Sequence, residues 1–113
     1  MIALKIQHGT NYRGRWYLDG KLHRDNDQPA IINVAYHSWY ANGSRHLAND
    51  QPAVIYADGT QEWYFNGKRH RAGDQPAVIY DNGTQEWYFN GRLHRAGDQH
   101  AVIIDNGTQE YYH

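Results

Sequence analysis

The pattern in this chain with the greatest chemical potential is a histidine followed four residues later by an aspartate. It occurs four times, as His23 and Asp27, His46 and Asp50, His70 and Asp74, and His94 and Asp98. Imidazole with carboxylate is a common metal-ligand set and an orienting pair for acid–base work. Catalysis, however, requires one asymmetric constellation, whereas four equal copies indicate a recurring structural need. We therefore expect both columns to be structural, with each aspartate fixing its histidine across the loop.

The carboxylates Glu62, Glu86 and Glu110 form a second column of reactive side chains. Two carboxylates one repeat apart could serve glycoside hydrolysis. A solvated column of ion pairs is the commoner arrangement. We expect the second arrangement, in which the glutamates pair with Arg71, Arg95 and Lys68.

Other catalytic patterns are missing from the sequence. Serine occurs only at Ser38 and Ser44, and neither lies in a Gly-x-Ser-x-Gly setting. The glycines fall in turn signals, so none forms a phosphate loop before a helix. We predict that the protein is not an enzyme and has no catalytic residue, no metal site and no cofactor.

Basic and aromatic residues interleave along the chain, as they do in binders of single-stranded nucleic acid or glycans. The basic members with their aromatic neighbours are Arg13, Arg15, Trp16, Tyr17, Lys21, Arg24, Lys68, Arg69, Arg71, Arg92 and Arg95. The 12 acids are dispersed through the same stretches, and the net charge is −1. Such a balance flattens the electrostatic field. Nucleic acid or glycan therefore remains only an alternative ligand, and we expect no membrane partner.

Composition bounds the class of protein. A chain of 113 residues is one domain, here 1–113. Leu, Ile, Val and Phe total only 19 residues, but 4 Trp and 10 Tyr supply the missing apolar mass, which predicts a small aromatic core. The chain has no Cys, no apolar stretch near the roughly 20 residues of a membrane span and no apolar leader at its start. We expect a cytoplasmic protein.

A repeat of about 24 residues is the dominant feature of the sequence. Tryptophan recurs at Trp16, Trp39, Trp63 and Trp87, and Tyr111 stands one step further. Residues 62–85 and 86–109 are identical at 20 of 24 positions. The spacing predicts units that begin near each tryptophan, a cap over 1–15 and a truncated unit from Tyr111.

Turn signals divide each unit into short strands. They are Asp19-Gly20, Asn42-Gly43, Asp58-Gly59, Asn66-Gly67, Asn82-Gly83, Asn90-Gly91 and Asn106-Gly107. Such dipeptides supply the positive φ angles of type I′ hairpins. The stretch 33–38 lacks one, so a different turn or a bulge is expected there. We predict an all-β protein, an elongated, twisted antiparallel meander like a β-solenoid, with almost no helix and with Trp63 and Trp87 buried.

The runs WYFNGK, WYFNGR and HRAGDQ and the Gly-Thr-x-Glu-Trp-Tyr step resemble the MORN repeat family, in the variant with a Tyr-x-Asn-Gly core found in bacterial, phage and giant-virus proteins. The resemblance covers roughly residues 9–113. It implies scaffolding, dimerisation or partner binding, and it implies no catalytic residue. The fixed His-Arg and Asp-Gln-Pro-Ala steps depart from the ordinary pattern, so lipid binding is not carried over.

These observations predict a non-enzymatic protein-binding module with a rigid β surface. The resemblance extends this to a phage or mobile-element factor that inhibits a host defence protein, acting in the host cytoplasm. The alternative is a self-associating scaffold. The expected binding residues are Tyr64, Tyr88, Arg71, Arg95, Tyr111 and Tyr112.

The carboxyl end adds a prediction about assembly. The last unit stops at 111–113, before the turn and strand that cover the aromatic strand in earlier units. An uncovered edge strand favours pairing with another chain. We expect a homodimer through residues 101–113, with a strand that twists away behind charged guards as the alternative.

Overall fold

The computed structural model of the chain describes residues 10–97, 99–104 and 109–110. Every regular element in this part of the chain is a β-strand. The strands are β1 (Thr10–Tyr12), β2 (Arg15–Leu18), β3 (Lys21–Leu22), β4 (Ile31–Ile32), β5 (Tyr36–Ser38), β6 (Tyr40–Ala41), β7 (Ser44–Arg45), β8 (Val54–Tyr56), β9 (Gln61–Glu62), β10 (Tyr64–Phe65), β11 (Lys68–Arg69), β12 (Val78–Ile79), β13 (Gln85–Glu86), β14 (Tyr88–Phe89), β15 (Arg92–Leu93), β16 (Val102–Ile103) and β17 (Gln109–Glu110).

Eleven of these strands form one antiparallel sheet. Its order is β1-β2-β4-β5-β8-β9-β12-β13-β16-β17, with β3 paired to β2. Three two-stranded ribbons, β6–β7, β10–β11 and β14–β15, project from it. The molecule measures 55 × 27 × 19 Å. The predicted all-β antiparallel meander is confirmed, and no helix that could cross a lipid bilayer occurs in the described residues.

Each ribbon starts at a tryptophan that also belongs to the sheet. The Trp63 N–H donates to the Ala77 carbonyl in the sheet at 2.7 Å, and the Trp63 carbonyl accepts from the His70 N–H at the end of the ribbon at 3.1 Å. Trp87 repeats this pattern with Ala101 and His94. The aromatic strand therefore bends at each tryptophan and leaves the sheet for its ribbon.

The ribbon turns have the predicted geometry. Both central residues have positive φ at Asp19-Gly20, Asn42-Gly43, Asn66-Gly67 and Asn90-Gly91. Positive φ at both positions defines the type I′ hairpin, whose twist suits the two flanking strands.

The turns within the main sheet correct the prediction. At Asp58-Gly59 and Asn82-Gly83 only the glycine has positive φ. The Tyr56 N–H donates to the Thr60 carbonyl at 2.9 Å and encloses three loop residues. These hairpins are therefore three-residue loops rather than type I′ turns, because the added residue lets one glycine provide the reversal. Asn106-Gly107 lies outside the described residues, as do residues 1–9 of the cap.

The stretch 33–38 contains the different turn that its sequence predicts. The Asn33 side-chain oxygen accepts from the N–H groups of Ala35 and Tyr36 at 2.9 and 2.8 Å. An asparagine side chain that bonds its own following backbone replaces the missing glycine turn. The result is a hairpin between β4 and β5.

The core is thin and alternates along each strand. Trp63 and Trp87 are each 6% exposed, which confirms their predicted burial, and Ala53, Ala77 and Ala101 are fully buried. Neighbouring residues on the strands face the other side of the sheet. There a cross-strand row runs through Val54, Glu62, Val78, Glu86 and Val102. We call this side the Val–Glu side.

Two glycines with the same backbone angle allow a matched test of the first hairpin. Gly14 and Gly20 have φ values of 80 and 79. A Cβ at Gly14 would press on the Ile32 carbonyl oxygen, whereas one at Gly20 meets nothing within 4 Å. We expect Gly20→Ala to lower the free energy of unfolding by about 1 kcal/mol and Gly14→Ala by about 2–4 kcal/mol. Urea unfolding checks this. Equal losses of unfolding free energy in the two variants would contradict the close approach of Gly14 to the Ile32 carbonyl oxygen.

Candidate functional site

The ribbons present a line of rings on the surface. Phe65 lies between His46 and His70, with ring centroids 5.0 and 6.1 Å away. Phe89 lies between His70 and His94 at 4.9 and 6.2 Å. We call these five side chains the ring row. Phe65 and Phe89 are 54% and 55% exposed. Two large apolar side chains are thus held open to solvent at equivalent places.

Two histidines of the ring row, His46 and His70, join one ribbon to the next. The backbone N–H of Asn66 donates to Nδ1 of His46 at 3.3 Å, and that of Asn90 donates to Nδ1 of His70 at 3.2 Å. His23 accepts in the same way from Asn42. Because a backbone N–H only donates, Nδ1 is the acceptor and the ring proton belongs on Nε2. Each ring is therefore fixed by the unit that follows it.

The expected pairing of each histidine with the aspartate four residues on is wrong for the described pairs. Asp50 accepts two bonds from Arg71, at 2.8 and 3.2 Å, and one from Gln75 at 3.3 Å. Asp74 is bound in the same way by Arg95 and Gln99. The forked guanidinium of the next unit outcompetes a single imidazole N–H for these carboxylates. His23 bonds Asp25 through Nε2 at 2.7 Å, and Asp98 lies outside the described residues.

Arg71 and Arg95, two of the expected binding residues, serve as clamps between units. Arg71 lies 3.8 Å above the Trp63 ring, and Arg95 lies 3.9 Å above that of Trp87. Hydrogen bonds from Arg71 hold the pKa of Asp50 below its usual value, and those from Arg95 do the same for Asp74. The guanidinium groups are therefore already engaged within the molecule.

Clefts open beside the ring row between consecutive units. The cleft between His46 and His70 has a volume of about 590 Å³, and that between His70 and His94 about 390 Å³. The equivalent cleft between His23 and His46 is smaller, about 230 Å³. In the largest of the three clefts, Leu47 occupies the position that Arg71 occupies in the next cleft. In the smallest, Ala41 occupies the position of Phe65 and Phe89 in the other two. Near-copies of one unit thus produce unequal clefts.

The Val–Glu side carries a network of tyrosine, arginine and glutamate. Glu62 is 5% exposed. Its carboxylate accepts from the hydroxyls of Tyr64 at 3.1 Å and Tyr56 at 3.4 Å and from Arg69 Nη2 at 3.0 Å. The expectation of a solvated column paired with Arg71, Arg95 and Lys68 is therefore wrong for Glu62. Arg69, seven residues on, returns on the second ribbon strand and reaches it.

Tyr64 and Tyr88, two further expected binding residues, have their hydroxyls in this network. Tyr88 donates to Glu86 at 3.1 Å and accepts from Arg69 Nη1 at 3.2 Å. Burial opposes the charge on Arg69, yet the Glu62 carboxylate beside it leaves the pKa of Arg69 raised. The network links consecutive units on this side, as the histidines link them on the other.

Tyr111 and Tyr112 lie outside the described residues, and so do 105–108, so the homodimer through 101–113 stays a prediction. No group of three or more metal-ligating side chains occurs in the described residues. Sequence reasoning missed Phe65 and Phe89 as exposed rings. The signal was available, because both residues directly precede an Asn-Gly turn, where a side chain lies at a ribbon tip.

Comparison of the chain with protein-family models, with curated proteins and with solved structures finds no significant match. The resemblance to MORN repeats therefore stays a prediction.

The two near-identical units provide an internal control for the buried ion pair. Arg69 in one unit is replaced by Leu93 in the next. We expect Arg69→Leu to lower the free energy of unfolding by about 2 kcal/mol, because it strands the buried Glu62 carboxylate. The reverse exchange, Leu93→Arg, gives Glu86 a partner and should cause no loss. Urea unfolding of both variants measures this. Equal destabilisation of the two variants would show that the Arg69–Glu62 ion pair makes no specific contribution to the free energy of unfolding.

Alkaline pH provides a test of the tyrosine bonds. Burial and the neighbouring Glu86 carboxylate raise the pKa of Tyr80 to about 12, against roughly 10 in an unfolded chain. The folded phenol holds its proton more tightly, so its contribution is complete below about pH 10 and disappears as pH rises to about 12. We expect Tyr80→Phe to make unfolding free energy less dependent on pH over that range.

The matched control is Tyr36→Phe, because the Tyr36 hydroxyl bonds no carboxylate within the described residues. It removes one phenol hydroxyl without removing a bond to a carboxylate. Denaturant unfolding between pH 8 and 12 compares the three proteins. A Tyr80→Phe profile that superimposes on the parent profile would contradict the assignment.

Proposed function

We propose that this protein is a non-enzymatic protein-binding module whose contact surface is the ring row with its adjoining clefts. The observation that carries the proposal is the exposure of Phe65 and Phe89, 54% and 55%, on side chains held at both edges by histidine rings. Exposed apolar side chains grouped beside clefts are typical of interaction sites. Aromatic anchors of this kind supply much of the binding energy at protein interfaces.

The rings are also pre-organised for binding. His46 and His70 are fixed through Nδ1 to the next ribbon. Phe65 packs between these two rings, and Phe89 packs against His70. A side chain that is ordered before binding loses little conformational entropy when a partner arrives. This rigidity supports a binding role for the surface.

The polar residues of the clefts support a binding role over catalysis. Asp50 and Asp74 are each held by an arginine fork and a glutamine, in equivalent positions of successive units. Their bonds tie one unit to the next. The acids that could have served a reaction are thus used to keep the clefts in shape.

Equivalent clefts follow one another at the spacing of the sheet. Each unit adds two strands to the main sheet, or about 10 Å. Phe65 lies between the histidines of two units, with its ring centroid 5.0 and 6.1 Å from theirs, so the two distances taken together agree with that spacing. A partner that lies along the ring row would therefore meet the same contact again after each unit. An extended partner segment suits this surface better than a single compact ligand.

The test replaces both exposed rings and compares capture of a partner. The parent, the double variant Phe65→Ser with Phe89→Ser, and the control Val34→Ser are used as baits in lysate from the source organism. Val34 is 98% exposed on a turn of the main sheet and does not line the clefts that adjoin the ring row. We expect one protein to be retained in stoichiometric amount by parent and control, and at least tenfold less by the double variant.

Sedimentation of the three purified baits separates this proposal from self-association. Exposed side chains contribute little to folding, so all three should unfold at similar urea concentrations. Equal retention of the same protein by all three baits would show that the ring row is not the contact surface. A parent that forms dimers lost only in the double variant would point to a second copy as the partner.

A further inference from the structure

A cleft on the Val–Glu side lies next to a carboxylate that lacks the partner its counterpart has. The cleft has a volume of about 400 Å³, and Tyr80, Glu86, Leu93 and Ile104 line it. It is separate from the ring row. Its position corresponds to the place that an arginine occupies one unit earlier.

The preceding unit shows how a guanidinium sits at this position. Arg69 Nη2 lies 3.0 Å from Oε2 of Glu62, and Arg69 Nη1 donates to the Tyr88 hydroxyl at 3.2 Å. The guanidinium carbon lies 5.2 Å from the centroid of the Tyr88 ring. A carboxylate, a phenol oxygen and an aromatic face together form a binding site for a planar cation.

In the next unit the carboxylate and its two tyrosine donors recur without the cation, while Tyr112, the counterpart of Tyr88, lies outside the described residues. Tyr80 and Tyr88 each donate to Oε1 of Glu86 at 3.1 Å, as Tyr56 and Tyr64 do to Oε1 of Glu62. Oε2 of Glu86 has no hydrogen-bond partner among the described residues. The residue at the position of the arginine is Leu93, whose side chain has no hydrogen-bond donor.

We propose that this cleft binds the guanidinium of an arginine side chain presented by a partner protein, with Oε2 of Glu86 as its acceptor. The charge is complementary, and the planar fork of guanidinium matches a carboxylate better than an ammonium does. The Tyr80 ring lines the same cleft and offers an aromatic wall. The proposal rests on the Val–Glu side alone and does not depend on the ring row.

The experiment titrates the full chain with small probes that carry the cation. The probes are N-acetyl-arginine amide, N-acetyl-lysine amide and free L-arginine, followed through backbone amide shifts. One guanidinium at a partly open site should bind with a Kd on the order of millimolar. We expect N-acetyl-arginine amide to shift the amides of residues 86 and 93 saturably and to bind at least fivefold more tightly than the lysine probe.

Two variants and one control make the assignment specific. Leu93→Arg supplies the cation from within the chain and should abolish binding while the protein stays folded. Glu86→Gln removes the acceptor charge and should weaken binding at least tenfold. Leu93→Ile keeps both the apolar wall and the open carboxylate, so it should bind like the parent.

The outcomes test whether the cleft is the binding site, and they distinguish a partner protein from the free amino acid as the source of the guanidinium. Unchanged binding by Leu93→Arg, or equal binding of the lysine and arginine probes, would overturn the site. Free L-arginine that binds more tightly than the capped probe would show that the cleft recognises the amino acid itself and would overturn the partner-protein source. If Glu86→Gln fails to fold, the comparison of Leu93→Arg with Leu93→Ile still decides.

Discussion

The backbone of each central tryptophan belongs to two structures at once, and the arrangement of the molecule follows from this. Through its N–H, Trp63 remains part of the main sheet, and through its carbonyl it closes the ribbon. The chain must therefore turn away from the sheet at the same point in every unit. The ribbons consequently stack beside one another, which brings Phe65 between the histidines of two units. The same bend returns Arg69 to the Val–Glu side, where it reaches Glu62.

Much of the fold could be predicted from local sequence, because its main determinants are local. The Asn-Gly and Asp-Gly pairs in the ribbons adopt the positive φ values that their residue types favour. The turn type at Asp58-Gly59 was harder to predict, because the same dipeptide occurs in a three-residue loop when the register of the flanking strands requires one. The alternation that buries Trp63 was visible in the sequence, but the bend behind it was not, since it depends on bonds to Ala77 and His70.

The side-chain pairs were less predictable, because they join residues from different units. Sequence proximity suggested His70 as the partner of Asp74, but Arg95, 21 residues away, holds that carboxylate. Stacking brings equivalent loops together, so a residue competes for partners in the next unit as well as its own. In such a contest a guanidinium that forms two bonds prevails over a nearer imidazole. The hairpin at Asn66-Gly67 places Arg69 opposite Tyr64, and the bend at Trp63 then brings Arg69 rather than Arg71 to Glu62.

A consequence of this construction is that the molecule can lengthen or shorten by whole units. Residues 62–85 and 86–109 agree at 20 of 24 positions, and the bonds from the asparagine N–H of one ribbon to the histidine of the previous one recur at equivalent places. Duplication or loss of one such segment in the gene leaves each remaining strand with a partner in the correct register. A change of another size has to be absorbed in a turn, as in the unit from Trp16 to Trp39, which is one residue shorter yet keeps the backbone bonds of both tryptophans to Ala30 and Ala53. Evolution can therefore change the length of the molecule by whole units, and single substitutions such as Leu93 in place of arginine distinguish one unit from the next.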